Sequence, residues 1–360
     1  MRLNLILHDF SKREPFGGFK VLYEFANRLS AIGDDIVVYH SLNYDRGVRR
    51  HPWSIPGLVR YNLLGGRAVR WFTLAPGVRC RFLPRIVPRM LRPADATIVG
   101  SFLMAERLPA ATPRTGPILH IVYEYPVWRS SRLDLRDRLA RSLQRDDISH
   151  IATSGAVEEM LAELGVCPVK KITCGIDLPV ASLVPGTASR RPIVGFPLRP
   201  EPYKGVLDML AAIPLIRAQV PDAEFECFGR YAGDLDIPGG LTVHGYLDQQ
   251  RLLDLYRRCM VFVYPSRVEG WGLPAAEAMA NGAAVVVTDN GGSSDFAIDR
   301  TTALVVPPSD PLSIAAATTR LLRDESLRAR IVSGGIGRSQ DMSWDRSTAQ
   351  LAALLAELAG

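Results

Sequence analysis

Three observations predict an α/β protein built as two Rossmann-like domains facing each other across a cleft. Two stretches share one grammar: a short apolar run, a loop, an amphipathic helix and a second apolar run. A Pro/Ala/Ser-rich stretch, Leu178 to Arg191, lies between them and reads as a linker. A third unit, Met260 to Glu277, reads as strand, glycine-rich turn and helix. The expected division is an N-terminal Rossmann-like domain over 1–182, a second Rossmann-like domain over 183–340 and a terminal helical segment over 341–360.

Leu3 to Leu7 reads as a buried strand. Gly17-Gly18 follows, and glycine there lets backbone approach a ligand closely. Leu22, Phe25, Ala26, Leu29 and Ile32 fall at helical spacing, with Gly33 as the stop and Ile36 to Tyr39 as the next strand. Ile118 to Val122 is a further strand, ending in Tyr123-Glu124 and carrying His120 as a strand histidine. In the second half, Pro192 to Phe196 is a strand, and its loop holds Arg199 and Lys204. Val206, Met209, Leu210, Ile213 and Ile216 mark the helix, and Phe225 to Phe228 the next strand. In open sheets of this kind ligands bind beyond the carboxyl ends of the strands.

Met260 to Tyr264 is strand-like by length and by its β-branched and aromatic content. The turn Glu269-Gly270-Trp271-Gly272-Leu273-Pro274 leads into Ala275 to Ala280, with Pro274 suited to the first helical position. Glu269 then sits at the mouth of a helix N-terminus and Glu277 about one turn inside. Backbone N–H groups there attract anions, and carboxylates beside them accept hydroxyls. An anion joined to a polyol describes a sugar nucleotide. Arg199 and Lys204, a fork and a point charge five residues apart, suit a diphosphate that gains charge as it departs.

The motif resembles the E-x7-E signature of retaining glycosyltransferases of family 4, which have the GT-B fold. The resemblance continues through Asn281 to Gly292 and Ala303 to Pro308, and upstream through Leu198 to Gly205 with its Arg and Lys-Gly. Thr153-Ser154 and Cys174-Gly175-Ile176-Asp177 resemble landmarks that close the first domain. It implies catalytic roles for Glu269, Arg199 and Lys204. It implies that Glu269 contacts donor-sugar hydroxyls, that Glu277 contacts the ribose, and that Gly270, Trp271, Gly272 and Leu273 line the pocket through their backbone. Gly17, Gly18, Tyr123, Glu124 and Tyr246 complete the donor-binding set, Tyr246 through the loop His244-Gly245-Tyr246. Tyr123-Glu124 stands where the family usually has His-Asp. The family's front-face mechanism needs no dedicated nucleophile and no cofactor. The triplet Asp234-Leu235-Asp236 imitates a metal motif but lies in another loop, so no metal is expected.

The resemblance implies hexose transfer from a GDP- or UDP-sugar to a glycan or lipid-linked acceptor, in cell-surface polysaccharide or glycolipid synthesis. A nucleotide-sugar epimerase of similar architecture and a non-catalytic membrane or nucleic-acid adaptor are the alternatives. Dehydrogenase chemistry is disfavoured because neither Gly loop is a GxGxxG followed by an acid about 20 residues on.

Hydrophobic content of 47% and charged content of 22% suit a globular chain of 360 residues, and no apolar run reaches membrane-spanning length. Five cysteines without a CxxC pair fit a reducing, cytoplasmic setting. Residues 1–185 hold 26 Lys/Arg and 17 Asp/Glu. Residues 46–94 alone contain eleven Arg and no acid, with Trp53, Trp71, Phe72 and Phe82 among them. Such a segment suits an anionic surface, and the inner membrane face is the partner it suggests; no nucleic-acid motif accompanies it.

Overall fold

The computed structural model describes residues 1–8, 17–41, 71–83, 86–108, 110–179, 190–230 and 236–359. The chain forms two compact units: residues 1–153, 157–175 and 344–360 make the first, and 154–156 with 176–343 the second. The expected break at 182/183 lies outside the described residues. The grouping already gives Ile176 to the second unit and returns Trp344 onward to the first.

The first unit is a parallel sheet of β1 (Arg2–His8), β2 (Asp35–Ser41), β3 (Arg79–Leu83), β4 (Ala96–Val99), β5 (Ile118–Val122), β6 (Ser149–Ala152) and β7 (Lys170–Lys171). Their spatial order is β3-β2-β1-β4-β5-β6-β7. Helices α1 (Gly17–Ala31), α2 (Phe102–Ala105), α3 (Tyr125–Trp128), α4 (Leu133–Leu143) and α5 (Gly155–Glu163) connect them. Reversal of order at β1/β4 is the switch point of a doubly wound sheet. Helix α1 buries Phe19, Leu22, Phe25, Ala26 and Leu29, as the helical spacing requires. Ile32 departs from the expected face. The helix ends at Ala31 because Gly33, at φ 103°, turns the chain, and this leaves Ile32 64% exposed.

The second unit orders its parallel strands β10-β9-β8-β11-β12-β13. They are β8 (Ile193–Leu198), β9 (Glu224–Gly229), β10 (Leu241–Val243), β11 (Val261–Tyr264), β12 (Ala284–Thr288) and β13 (Leu304–Val306). Every residue of β8, β11 and β12 is buried, as expected of parallel strands covered on both faces. The connecting helices are α6 (Val206–Gln219), α7 (Gln249–Arg258), α8 (Leu273–Ala280), α9 (Pro311–Arg323) and α10 (Glu325–Ser339). Val206, Met209, Leu210, Ile213 and Ile216 of α6 enter the core with Phe196, Val263 and Val286. Two buried arginines tie element ends. Arg190 donates to the carbonyls of Cys259 and Asn281, and Arg328 to those of Leu321 and Leu322.

The last helix, α11 (Trp344–Ala359), packs in the first unit. Trp344 is 1% exposed, meets Phe25 of α1 edge-on at 5.6 Å, and lies under the Arg28 guanidinium. Gly175 leaves room for it, since a Cβ there would fall 2.4 Å from the Trp344 Cα.

The Arg-rich segment is described only in part, residues 46–70 and Arg85 lying outside the described residues. Of the described aromatics Phe82 is buried, whereas Trp71 and Phe72 are half-buried. Trp71 and Phe72 pack on Tyr23 at 5.9 and 5.3 Å, and Phe82 stacks on His40 at 5.1 Å. Arg79 and Arg92 are engaged by Asp35, whereas Arg81 and Arg89 are exposed. Among the described residues no helix is long and apolar enough to cross a membrane.

Trp344→Ala should lower the stability of the first unit by about 3–5 kcal/mol, the usual cost of emptying a large aromatic site. Urea unfolding followed by circular dichroism measures it, and an unchanged midpoint would contradict this packing role.

Candidate active site

In the second unit, β8 and β11 are neighbours at the switch point. The loop leaving β8 carries Arg199 and Lys204, and the loop leaving β11 carries Glu269 to Gly272. The sheet therefore brings together residues 65 apart in sequence: Lys204 Nζ donates to Glu269 Oε1 at 2.7 Å. Glu269 is 6% exposed. Tyr264, the last residue of β11, donates its phenol to the same Oε1 at 2.7 Å. Burial first, and the neighbouring Glu269 second, push the Tyr264 phenol well above its usual range, so it stays a donor.

Backbone geometry fixes both loops. Lys204 ends a short 3-10 turn, Pro202–Lys204, and Gly205 follows in the left-handed region at φ 64°. A Cβ on Gly205 would lie 2.0 Å from the Pro265 carbonyl oxygen, so only glycine lets the two loops meet. Arg267 latches them. Its N–H donates to the Tyr203 carbonyl at 2.8 Å, and its guanidinium grips Asp208 through two bonds of 2.9 Å. On the far side, Glu269 N donates to the Asn290 carbonyl at 3.0 Å. A Cβ on Gly292 would come within 2.5 Å of Glu269 O and Trp271 N, so the Gly291-Gly292 corner is pressed against the acidic turn.

Arg199 follows β8 directly and is half-buried, near enough for its charge to act on the Tyr264 and Tyr203 phenols. Gly272 caps α8 at φ 113°, so the helix opens at Leu273 and Pro274 takes the second position rather than the expected first, where its missing N–H again costs no bond. The Trp271 ring is 4% exposed and packs on Phe296 at 5.2 Å, so this residue offers the turn its backbone. Glu277, one turn into α8, accepts from the Tyr256 phenol at 3.2 Å. Tyr246 is 36% exposed and follows Gly245, whose carbonyl accepts from Gly229 N at 2.7 Å. Asp234 and Leu235 lie outside the described residues.

Gly17, Gly18, Tyr123 and Glu124 belong to the first unit, Gly17 opening α1 and Tyr123-Glu124 following β5. Gly18 touches Tyr123: a Cβ there would fall 2.9 Å from the phenol oxygen. That phenol donates to the Gly100 carbonyl and, at 3.4 Å, to the Gly18 carbonyl. Glu124 is 7% exposed. It accepts from Phe102 N at 2.8 Å and Tyr123 N at 3.0 Å, with His120 Nε2 at 3.3 Å. The polar atoms of Tyr123 and Glu124 thus hold their own loops together, a use the sequence reading did not assign them. Burial pushes the Glu124 carboxyl up, but His120 and the two backbone donors outweigh it and hold the group below its usual range.

Sequence reasoning missed Tyr264, Arg267 and Tyr256. One signal was present: a tyrosine ending a buried strand needs a partner for its hydroxyl.

Because its folded pKa is depressed, Glu124 contributes stability above the unfolded value near 4.5, and that contribution is lost as pH falls through the lower folded value. Glu124→Gln should cost about 1–3 kcal/mol at neutral pH, with the gap to wild type closing below about pH 4.5. Urea midpoints across that range measure it; a gap that stays constant into acid would contradict the assignment.

A protein-family model described as glycosyl transferases group 1 matches residues 184–338. The chain is 36% identical over 111 residues to a D-inositol 3-phosphate glycosyltransferase of Xylanimonas cellulosilytica, covering 31% of this chain and 27% of the relative. It is 32% identical over 158 residues to a phosphatidyl-myo-inositol mannosyltransferase of Mycolicibacterium smegmatis, covering 42% and 41%. The chain thus spans about a quarter to two fifths of these curated relatives' length. Over 99% of the chain it superimposes on all of Anabaena HepE, solved in complex with UDP-glucose, with a TM-score of 0.74 at 16% identity. The chain has the GT-B fold, and its residues 184–338 match the model of the group 1 glycosyl transferases.

Proposed function

We propose that this protein is a retaining, metal-independent glycosyltransferase. It moves a hexose from a UDP- or GDP-sugar to a glycan or lipid-linked acceptor in cell-surface polysaccharide or glycolipid synthesis. The observation that carries the reading is the Lys204–Glu269 pair at the switch point of the group 1 unit, with Arg199 beside it. That HepE was solved with UDP-glucose supports a nucleotide-sugar donor here, and the two relatives named as glycosyltransferases support transfer.

In this reading Glu269 accepts from hydroxyls of the donor sugar and Glu277 from the ribose. Gly270 to Leu273 line the pocket with backbone, and Tyr246 borders the base. The acceptor oxygen forms its bond to the anomeric carbon as the bond to the diphosphate breaks. The electron pair leaves with the phosphate oxygen, which takes the acceptor's proton. Arg199 and Lys204 stabilise the charge that gathers there, and positive charge fixed in advance lowers the barrier without reorganisation.

The glycosyl acceptor is a further proposal, and so is an anionic membrane face engaged through the arginines of 46–94. Vesicles containing anionic lipid should retain the protein at low salt and release it at high salt. Failure to bind at low salt would remove the membrane from this account.

The test of function begins with melting temperatures in UDP, GDP and their sugars, since a ligand of the native state raises stability by mass action. One nucleotide series should shift the transition. With the responding donor and a lipid or glycan extract, Lys204→Ala should lower kcat about 10²–10³-fold, the usual loss when one charge-stabilising group is removed. Glu269→Ala should cripple transfer while retaining the wild-type circular dichroism spectrum. Wild-type turnover by either variant would refute its assigned role.

A further inference from the structure

Two donors hold Glu269, and both converge on one oxygen. Tyr264 and Lys204 each approach Oε1 at 2.7 Å, and no described residue donates to Oε2. The two donors differ in kind. Lys204 is a point charge on a flexible stem, 23% exposed, with three protons to share, so it can turn toward an arriving anion. Tyr264 has no such freedom. Its ring is 4% exposed within β11, whose backbone pairs with β12, and its hydroxyl is buried against the carboxylate. When Lys204 engages a diphosphate, Tyr264 remains to fix the direction of the carboxylate.

We propose that Tyr264 is a positioning residue for donor-sugar recognition. Its phenol commits Oε1 of Glu269 and leaves Oε2 as an acceptor of fixed direction for a sugar hydroxyl. This rests on the reading that Glu269 grips the sugar of a nucleotide-sugar donor. The chemistry selects a hydroxyl that can donate, since an ionised carboxylate only accepts. It also separates two tasks within one site: the nucleotide is held by other residues, so losing the phenol touches the sugar alone.

Tyr264→Phe removes one oxygen and keeps the ring. Calorimetric Kd values for UDP, UDP-glucose, GDP and GDP-mannose should be measured on wild type, Tyr264→Phe, Glu269→Ala and the double variant. For the series that wild type binds, Tyr264→Phe should leave nucleotide affinity within about twofold and weaken the nucleotide sugar about tenfold, as expected for a hydrogen bond to a charged group. In the Glu269→Ala background it should add nothing, because a residue acting through Glu269 has no effect without it. Equal weakening of nucleotide and nucleotide sugar would reduce Tyr264 to a structural role and overturn the proposal. So would unchanged affinities, or a full further loss in the double variant. If wild type binds none of the four ligands, the reading beneath the proposal fails, and the proposal with it. Binding of the nucleotides with an intact Tyr264→Phe response to sugar would instead fail the proposal alone.

Discussion

The contact between Lys204 and Glu269 depends on where a parallel sheet changes direction. From β8 the chain runs outward to β9, and from β11 outward the other way to β12. Right-handed crossovers place the two connecting helices on opposite faces, so the loops leaving β8 and β11 are not covered by a crossover of their own. Residues 65 apart in sequence can meet there without a long loop. Arg267, bonded to the Tyr203 carbonyl and to Asp208, then holds one loop against the other. The glycines at 205 and 292 permit the approach, because any side chain would meet backbone at 2.0 and 2.5 Å.

Such a pair is a poor device for stability. Moving both charges out of water costs several kcal/mol per ion, and a hydrophobic pair of equal volume often does as well. Here Glu269 is almost wholly buried, Lys204 only partly, and a buried phenol is added to the carboxylate. What the arrangement supplies is a charge and an acceptor oriented before a ligand arrives, at the carboxyl ends of strands where open α/β sheets bind ligands.

Much of this was legible in the sequence, for local reasons. The apolar runs and the helical spacing of Leu22, Phe25 and Leu29 announce the βαβ units, and β11, the glycine turn and α8 lie in one continuous stretch. Lys204 and Glu269 were readable as chemistry because each sits beside a glycine at a strand end. The long-range partners were not. Nothing near Tyr264 states that its hydroxyl will reach Glu269 beside Lys204, and nothing near Arg267 names Asp208, 59 residues earlier. Phe82 is a further case. An aromatic among arginines resembles a surface residue until His40, supplied by β2, is seen to stack on it.

The two units share a topology but use their strand ends differently. In the first, the phenol of Tyr123 is spent on the Gly100 and Gly18 carbonyls, and Glu124 on backbone N–H groups and His120. Both carboxylate oxygens therefore serve the fold. In the second, a tyrosine and a carboxylate recur at a strand end, but the tyrosine bonds the carboxylate itself and a lysine shares the same oxygen. One oxygen is left without a described donor. The same residue types close the first site on itself and leave the second with an unused acceptor and a movable charge. The unused acceptor and the movable charge thus lie in the unit whose residues 184–338 match the group 1 glycosyl transferase model.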